Sequence, residues 1–325
     1  MPRQARLDVP GALHHIMVRG INKSAIFEDD QDRHRFLERL GENVVEAKCS
    51  IYAWALMANH VHLLFKSGKK GISAVMRKLL TWYAIYYNRR HKRTGHLFEN
   101  RYKSILCDED NYLLALIRYI HLNPLRVGLA KTLEELDWYM WSGHSAVLGK
   151  RDCLWMDTDY VLLQFNDTKR KARNAYRRFV QEGVGMGRQP ELTGGGLIRS
   201  LGGWSTVRSS QRKGQKTEYD ERILGSGDFV TAIFREAEEK QVRQLKIRRA
   251  GLTIQGVIDK ECTLARISPQ ELKSGSRRKV VSSARLRIAR RGVDELGLTS
   301  AEIARHLGVC TSTITRALET SKRDV

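Results

Sequence analysis

His60 and His62, separated only by Val61, are the residues of this chain whose type and spacing are best suited to chemistry. On a β-strand, side chains at i and i+2 share a face, so the two imidazoles would stand together while Val61 enters a core. Two neutral imidazoles are half of a metal site, and a divalent ion held there needs a further ligand. Tyr119 and Asn123 form the second constellation. Four residues are about one helical turn, so on a helix these two and Tyr112 fall on one stripe. If that stripe faces the histidines, Asn123 offers its amide oxygen as a third ligand and Tyr119 a hydroxyl beside the ion. The plainer alternatives are a half-buried packing tyrosine and an asparagine cap before Pro124.

Hydrophobic periodicity predicts the elements that must position these groups. Residues 12–19 alternate as a first strand, on which His14 and His15 face opposite ways, and a helix runs from Asp29 or Asp30 to about Lys48. Strands over 51–56 and 60–66 form a hairpin with the histidines at the start of its second arm. A helix over 72–90, a strand over 101–106 and a helix over 108–123, stopped by Pro124, complete the pattern. Strand, helix, strand, strand, helix, strand, helix is the order of an α+β, ferredoxin-like (split βαβ) domain with one extra helix. Residues 125–150 read as an irregular connection containing Trp138 and Trp141, packed on that domain, and 160–180 as a basic helix. Eleven glycines between Gly183 and Gly227 mark a junction with no phosphate-loop pattern, and the remainder reads as all α. The expected domains are therefore 1–150, a junction over 151–227, and 228–325.

The charge narrows the partners. With 57 Lys and Arg against 36 Asp and Glu, the net +21 favours polyanions, nucleic acid first. An anionic membrane surface is the rival, but there is no apolar run near the ~20 residues of a span and no signal peptide, so a cytoplasmic, nucleoid-associated protein is expected. The five cysteines are scattered, with no C-x-x-C pair, and read as reduced thiols.

Three stretches resemble one family: Asn59-His60-Val61-His62-Leu63-Leu64, Gly95-His96-Leu97-Phe98-Glu99-Asn100-Arg101-Tyr102-Lys103, and Tyr119-Ile120-His121-Leu122-Asn123-Pro124-Leu125-Arg126. In this order they resemble the REP-associated tyrosine transposases, within the single-tyrosine HUH transposases, over roughly residues 1 to 130. Asp220-Glu221-Arg222-Ile223-Leu224-Gly225-Ser226-Gly227 is similar to a stretch of longer members. The resemblance implies a nuclease and strand transferase acting on single-stranded DNA next to hairpins. His60 and His62 match the metal-binding pair, Asn123 the polar position completing the site, and Tyr119 the nucleophile. It further implies Mg²⁺ or Mn²⁺, a 5′-phosphotyrosine intermediate with a free 3′-OH, and a monomer or homodimer. Arg19, Asn22, Arg101, Lys103 and Arg126 lie in or beside these stretches and are expected to contact DNA. The first turn reads Arg19-Gly20-Ile21-Asn22 where the resemblance implies Arg-Gly-Asn.

Other cations extend that surface. Arg89 and Arg90 end the helix over 72–90, where a helix cap and phosphate contact are equally good readings. At the C-terminus, residues 299–318 resemble a helix-turn-helix of the kind found in the chromosomal replication initiator, with Ala304 at the crossing and Gly308 at the turn. Thr311, Ser312, Thr313 and Arg316 would face duplex DNA, and Arg277, Arg278 and Lys279, followed by Arg285, Arg287, Arg290 and Arg291, would bind phosphate. Two rival functions remain open: a transcriptional regulator on an inactive nuclease scaffold, and a replication-type nickase that also uses Tyr112.

Overall fold

In the computed structural model the alternating residues 13–19 do form a strand, and the rest of the chain assembles around it. The structure describes residues 7–68, 71–187, 189, 192, 222–233, 235, 253–274, 276, 278–296, 298 and 300–320. The chain divides into two compact units, Met1–Thr231 and Ala232–Val325.

The first unit runs β1 (Leu13–Arg19), α1 (Asp30–Glu46), β2 (Ser50–Leu56), β3 (His60–Lys66), α2 (Ser73–Arg90), β4 (Lys103–Cys107) and α3 (Glu109–Arg126). Short helices α4 (Leu133–Trp138), α5 (His144–Val147) and α6 (Thr158–Leu163) precede α7 (Lys169–Glu182), and β5 (Ile223–Leu224) follows. The sheet order is β2-β3-β1-β4-β5, antiparallel except for the parallel β4–β5 pair. The Asp220–Gly227 stretch thus contributes the strand that extends the β4 edge; its residues 220 and 221 lie outside the described residues.

Local chemistry explains the elements. The Asp29 side chain caps α1 by accepting from the Asp32 backbone N–H. Phe36, Leu40 and Val44 then recur on its buried face and meet Tyr83 and Leu79 of α2 in one core. Each such fully buried side chain contributes about 1.5–3 kcal/mol relative to exposure. At the end of β1 the chain turns at Gly20, where a Cβ would lie 2.1 Å from the Ser24 carbonyl oxygen, so only glycine fits.

Two sequence expectations are corrected. Pro124 does not stop α3, which continues to Arg126. A proline in the last turn removes one hydrogen bond, and its own carbonyl accepts from the Leu129 backbone N–H at 2.8 Å, closing the turn beyond it. The basic helix expected over 160–180 is two helices, α6 and α7, broken at Asn166-Asp167, where the Asn166 side chain accepts from the Thr168 N–H and competes with helical bonding.

The boundary expected at 150 is not one in the structure. Met156, Val161, Tyr176 and Val180 belong to the same core as the sheet. Leu56 donates its backbone N–H to the Trp141 carbonyl at 2.8 Å, so the connection after α4 lies along β2. Most of the glycine-rich junction lies outside the described residues.

A polar network ties α3 to these additions. The Tyr176 hydroxyl lies 2.7 Å from both His121 Nδ1 and His144 Nδ1, and His144 Nε2 is 3.0 Å from Asp137, which also accepts from Arg177. The carboxylate can only accept, so His144 carries its proton on Nε2 and its Nδ1 accepts from Tyr176, whose oxygen accepts from His121 Nδ1–H. Burial holds both histidines below their usual pKa, which keeps them neutral.

The second unit contains α8 (Ile254–Ala265), α9 (Pro269–Lys273), α10 (Lys279–Asp294), α11 (Ser300–Leu307) and α12 (Thr311–Thr320) around Val257, Ile258, Val281, Ile288, Leu307 and Ile314. Ala304 is buried, and Gly308 takes the positive φ of 64° that the turn between α11 and α12 requires. Among the described residues no helix is long and apolar enough to cross a membrane.

Candidate active site

The antiparallel register of β1 and β3 sets Arg19 opposite His60 and Met17 opposite His62, which places His15, Arg19, His60 and His62 on one face of the sheet. The neighbouring His14 faces the other way, its Nδ1 3.2 Å from the Ser104 hydroxyl, as strand alternation demands. Helix α3 packs on β2 and β3 through Leu113, Leu116, Ile117 and Ile120. That docking brings Tyr119 edge-on to His62, with 5.9 Å between centroids, and to His15, with 6.0 Å. The His60 and His62 rings are 5.2 Å apart at 79°.

Hydrogen bonds orient both rings of the H-x-H pair. Asn59 Nδ2 donates to the Lys23 carbonyl at 2.9 Å, so its Oδ1, 2.6 Å from His60 Nδ1, accepts from that ring's N–H. His60 therefore carries its lone pair on Nε2. His62 Nδ1 lies 2.9 Å from His15 Nε2, and His15 Nδ1 lies 3.1 Å from the Leu192 carbonyl. Burial first, and then the Arg19 charge, lowers the His60 pKa to about 4; burial and the adjoining rings and Arg19 hold His62 well below its usual value. Burial likewise takes His15 down to about 4, so all three rings are neutral near pH 7.

Among the described residues there is no cluster of three His, Cys, Asp or Glu side chains that could hold a metal. Protein ligands for a cation here would be the two imidazoles and Asn123, leaving further positions for oxygens of a substrate. Asn123 is compatible with that use: it is buried, its amide nitrogen has no partner among the described residues, and its amide oxygen is the atom it would offer a cation. The donor set suits a divalent ion of borderline or hard character.

Cations and loops surround the pair. The Arg126 guanidinium lies 5.4 Å from the Tyr119 ring centroid, about two helical turns closer to the C-terminus of α3. Arg19 ends β1 exposed beside His60, and Asn22 holds a φ of 51° in the exposed turn that follows. The Gly95–Lys103 stretch latches onto this end of the sheet: Ile21 N–H donates to the Leu97 carbonyl at 3.0 Å and Glu99 N–H to the Arg19 carbonyl at 3.0 Å. The same stretch and α2 line a cavity of about 640 Å³, with Arg77, His96, Asn100 and Arg101 among its walls. Arg89, Arg101 and Lys103 are exposed.

Several expected phosphate contacts are committed within the protein. Arg90 pairs with Asp29 and the fully buried Asp32, clamping the end of α2 to the start of α1. Arg278 pairs with Glu271, and Arg285 is buried, donating to the Leu272 and Ser276 carbonyls. Arg287 and Arg291 both pair with Glu261. Lys279, Thr311, Ser312, Thr313 and Arg316 are exposed, while Arg277 lies outside the described residues. The sequence reading gave His15 and the Leu192 carbonyl no part in the site. Only the strand register, which sets position 15 diagonally across from 62, reveals the first.

A strand-borne imidazole pair thus faces a helix-borne tyrosine. Residues 9–123 match the family model described as transposase IS200 like. A solved structure of a REP-associated tyrosine transposase bound to a REP hairpin aligns with a TM-score of 0.38 and 14% identity, covering 48% of this chain and 98% of that one. None of the curated proteins compared matches this chain.

Proposed function

We propose that the protein is a divalent-cation-dependent transposase that cuts and rejoins single-stranded DNA at hairpin-forming repeats, with Tyr119 as nucleophile. One observation carries the reading: the Tyr119 ring stands 5.9 Å from His62, and His60 and His62 lie on the same face of the sheet with their rings 5.2 Å apart. His60, His62 and Asn123 would hold Mg²⁺ or Mn²⁺, which when bound polarises a phosphate oxygen and stabilises developing charge. The Tyr119 oxygen attacks phosphorus, a tyrosyl O–P bond forms, and the P–O3′ bond breaks. The tyrosine proton is lost, the departing 3′ oxygen leaves as a 3′-OH, and the 5′ phosphate stays on the protein. The stored ester can then be attacked by a second 3′-OH, which restores Tyr119 and joins the strands. Arg126 and Arg19 flank this path and would bind the neighbouring phosphates.

The sheet order β2-β3-β1-β4 with all-antiparallel neighbours supports the ferredoxin-like reading. The α11–Gly308–α12 corner, with exposed Thr311, Ser312, Thr313 and Arg316, supports a helix-turn-helix that contacts duplex DNA. The packing of α3 that brings the Tyr119 ring to 5.9 Å from His62 supports a reading in which the site is assembled in cis. The test is a labelled hairpin oligonucleotide incubated with the protein and Mn²⁺. Transfer of label to protein that survives denaturation supports the transposase, and its absence under all divalent ions favours the regulator reading.

A further inference from the structure

The hydrogen-bond chain behind His62 has a direction. The Leu192 carbonyl can only accept, so His15, 3.1 Å away, places its proton on Nδ1. A neutral His15 then has a lone pair on Nε2. That nitrogen, 2.9 Å from His62 Nδ1, can only accept, so the His62 proton is on Nδ1 and its Nε2 is bare. A backbone carbonyl of the segment after α7 therefore sets, through His15, which nitrogen of His62 is available. His60 reaches the same tautomer through Asn59.

We infer that His15 is a positioning residue for the cation site: it holds His62 in the tautomer whose Nε2 can bind a metal ion. This rests on the cation reading above. His15 is fully buried and stacked on His62, with centroids 5.1 Å apart, so it fixes the plane of that ring as well as its proton. Partners of this kind, which bond the far nitrogen of a ligating imidazole, change metal affinity by about 10–100-fold when removed. A residue that merely filled the space between β1 and α3 would be replaceable by any ring of similar volume.

The experiment uses the full chain, free of metal and then titrated with Mn²⁺, as wild type, His15→Phe and His15→Gln. Long-range ¹H–¹⁵N correlation spectra of the histidine-labelled, metal-free protein read the His62 tautomer directly. Free Mn²⁺ measured by electron paramagnetic resonance reads affinity. The wild type is expected to show His62 protonated on Nδ1 only. His15→Phe keeps a ring but offers no acceptor, so the His62 proton is expected to move to Nε2 and Mn²⁺ affinity to fall about 10–100-fold. His15→Gln keeps an acceptor oxygen and is expected to restore the tautomer and most of the affinity. A wild-type His62 protonated on Nε2 overturns the assignment. So does a folded His15→Phe that binds Mn²⁺ like the wild type, or equal weakening in both variants with the tautomer unchanged. Should His15→Phe fail to fold, the wild-type spectrum and His15→Gln still decide. Absence of any Mn²⁺ uptake by the wild type overturns the cation reading itself, a failure the metal-free spectra separate from failure of the His15 assignment.

Discussion

Tyr119 meets His62 edge-on, 5.9 Å between ring centroids and 82° between planes, with both residues on one chain. The first is carried by a helix and the second by a strand, and what holds them together is the apolar docking of α3 on β2 and β3. The helix is also held from behind, where His121 meets Tyr176 of α7. The helix that carries Tyr119 is therefore packed on two sides, against the sheet and against α7.

Replacing Tyr119 by Phe removes one oxygen and leaves the ring against His15 and His62. Covalent transfer of a labelled hairpin oligonucleotide to the protein is expected to vanish, while its affinity measured by fluorescence anisotropy stays within about threefold, a change under 1 kcal/mol. Tyr112→Phe is expected to keep transfer. Seven residues along a helix displace Tyr112 by about 10 Å from Tyr119. Equal loss in both variants would move the protein to the nickase reading.

His60→Ala and His62→Ala each delete one of the two imidazoles proposed to hold the cation. Cleavage is expected to fall by at least about 10²-fold, the scale of losing a transition-state stabilising contact. Extra Mn²⁺ is not expected to restore it, because a single imidazole leaves the ion with too few protein donors. Asn123→Ala should be milder and partly rescued by high Mn²⁺, read as a raised metal concentration for half-maximal cleavage. Full activity of His62→Ala would remove the site from consideration.

The sequence made the elements legible because each is amphipathic on its own, and it made the pairings of His60 with His62 and of Tyr119 with Asn123 legible as candidates because i+2 on a strand and i+4 on a helix are local relations. Relations between elements were not. His15 reaches His62 only through a register that no local pattern encodes. Arg90 looked like a free cation because its partners Asp29 and Asp32 lie 61 and 58 residues away. Arg285 looked like one of a basic run although its chain faces inward to carbonyls of Leu272 and Ser276. Pro124 reads as a stop, but in the final turn the missing N–H costs only one bond.

Stability should fall in mild acid. Burial lowers the pKa of His14 and of His15 from 6.5 to about 4. As pH drops below about 6.5 the unfolded chain takes up protons that the folded one refuses, so stability declines until the folded value near 4 is reached. Above pH 7 both states are neutral and these groups contribute no slope. The midpoint of thermal unfolding of the metal-free protein is therefore expected to be level from pH 8 to 7 and to drop steadily from 6.5 to 4.5. A midpoint unchanged down to pH 4.5 would show that these rings are reached by solvent.

Tyr176→Phe tests the clamp behind α3. The hydroxyl donates to His144 Nδ1 and accepts from His121 Nδ1, each at 2.7 Å in a fully buried site. The substitution keeps the ring and leaves one buried acceptor and one buried donor unpaired, at about 1–3 kcal/mol for each. Denaturant unfolding should show a loss of about 2–6 kcal/mol with an unchanged dependence on denaturant concentration. Hairpin cleavage well below the unfolding range should persist, because neither Tyr119 nor the H-x-H pair is touched. Loss of cleavage without loss of stability would instead mean that the network sets the position of Tyr119.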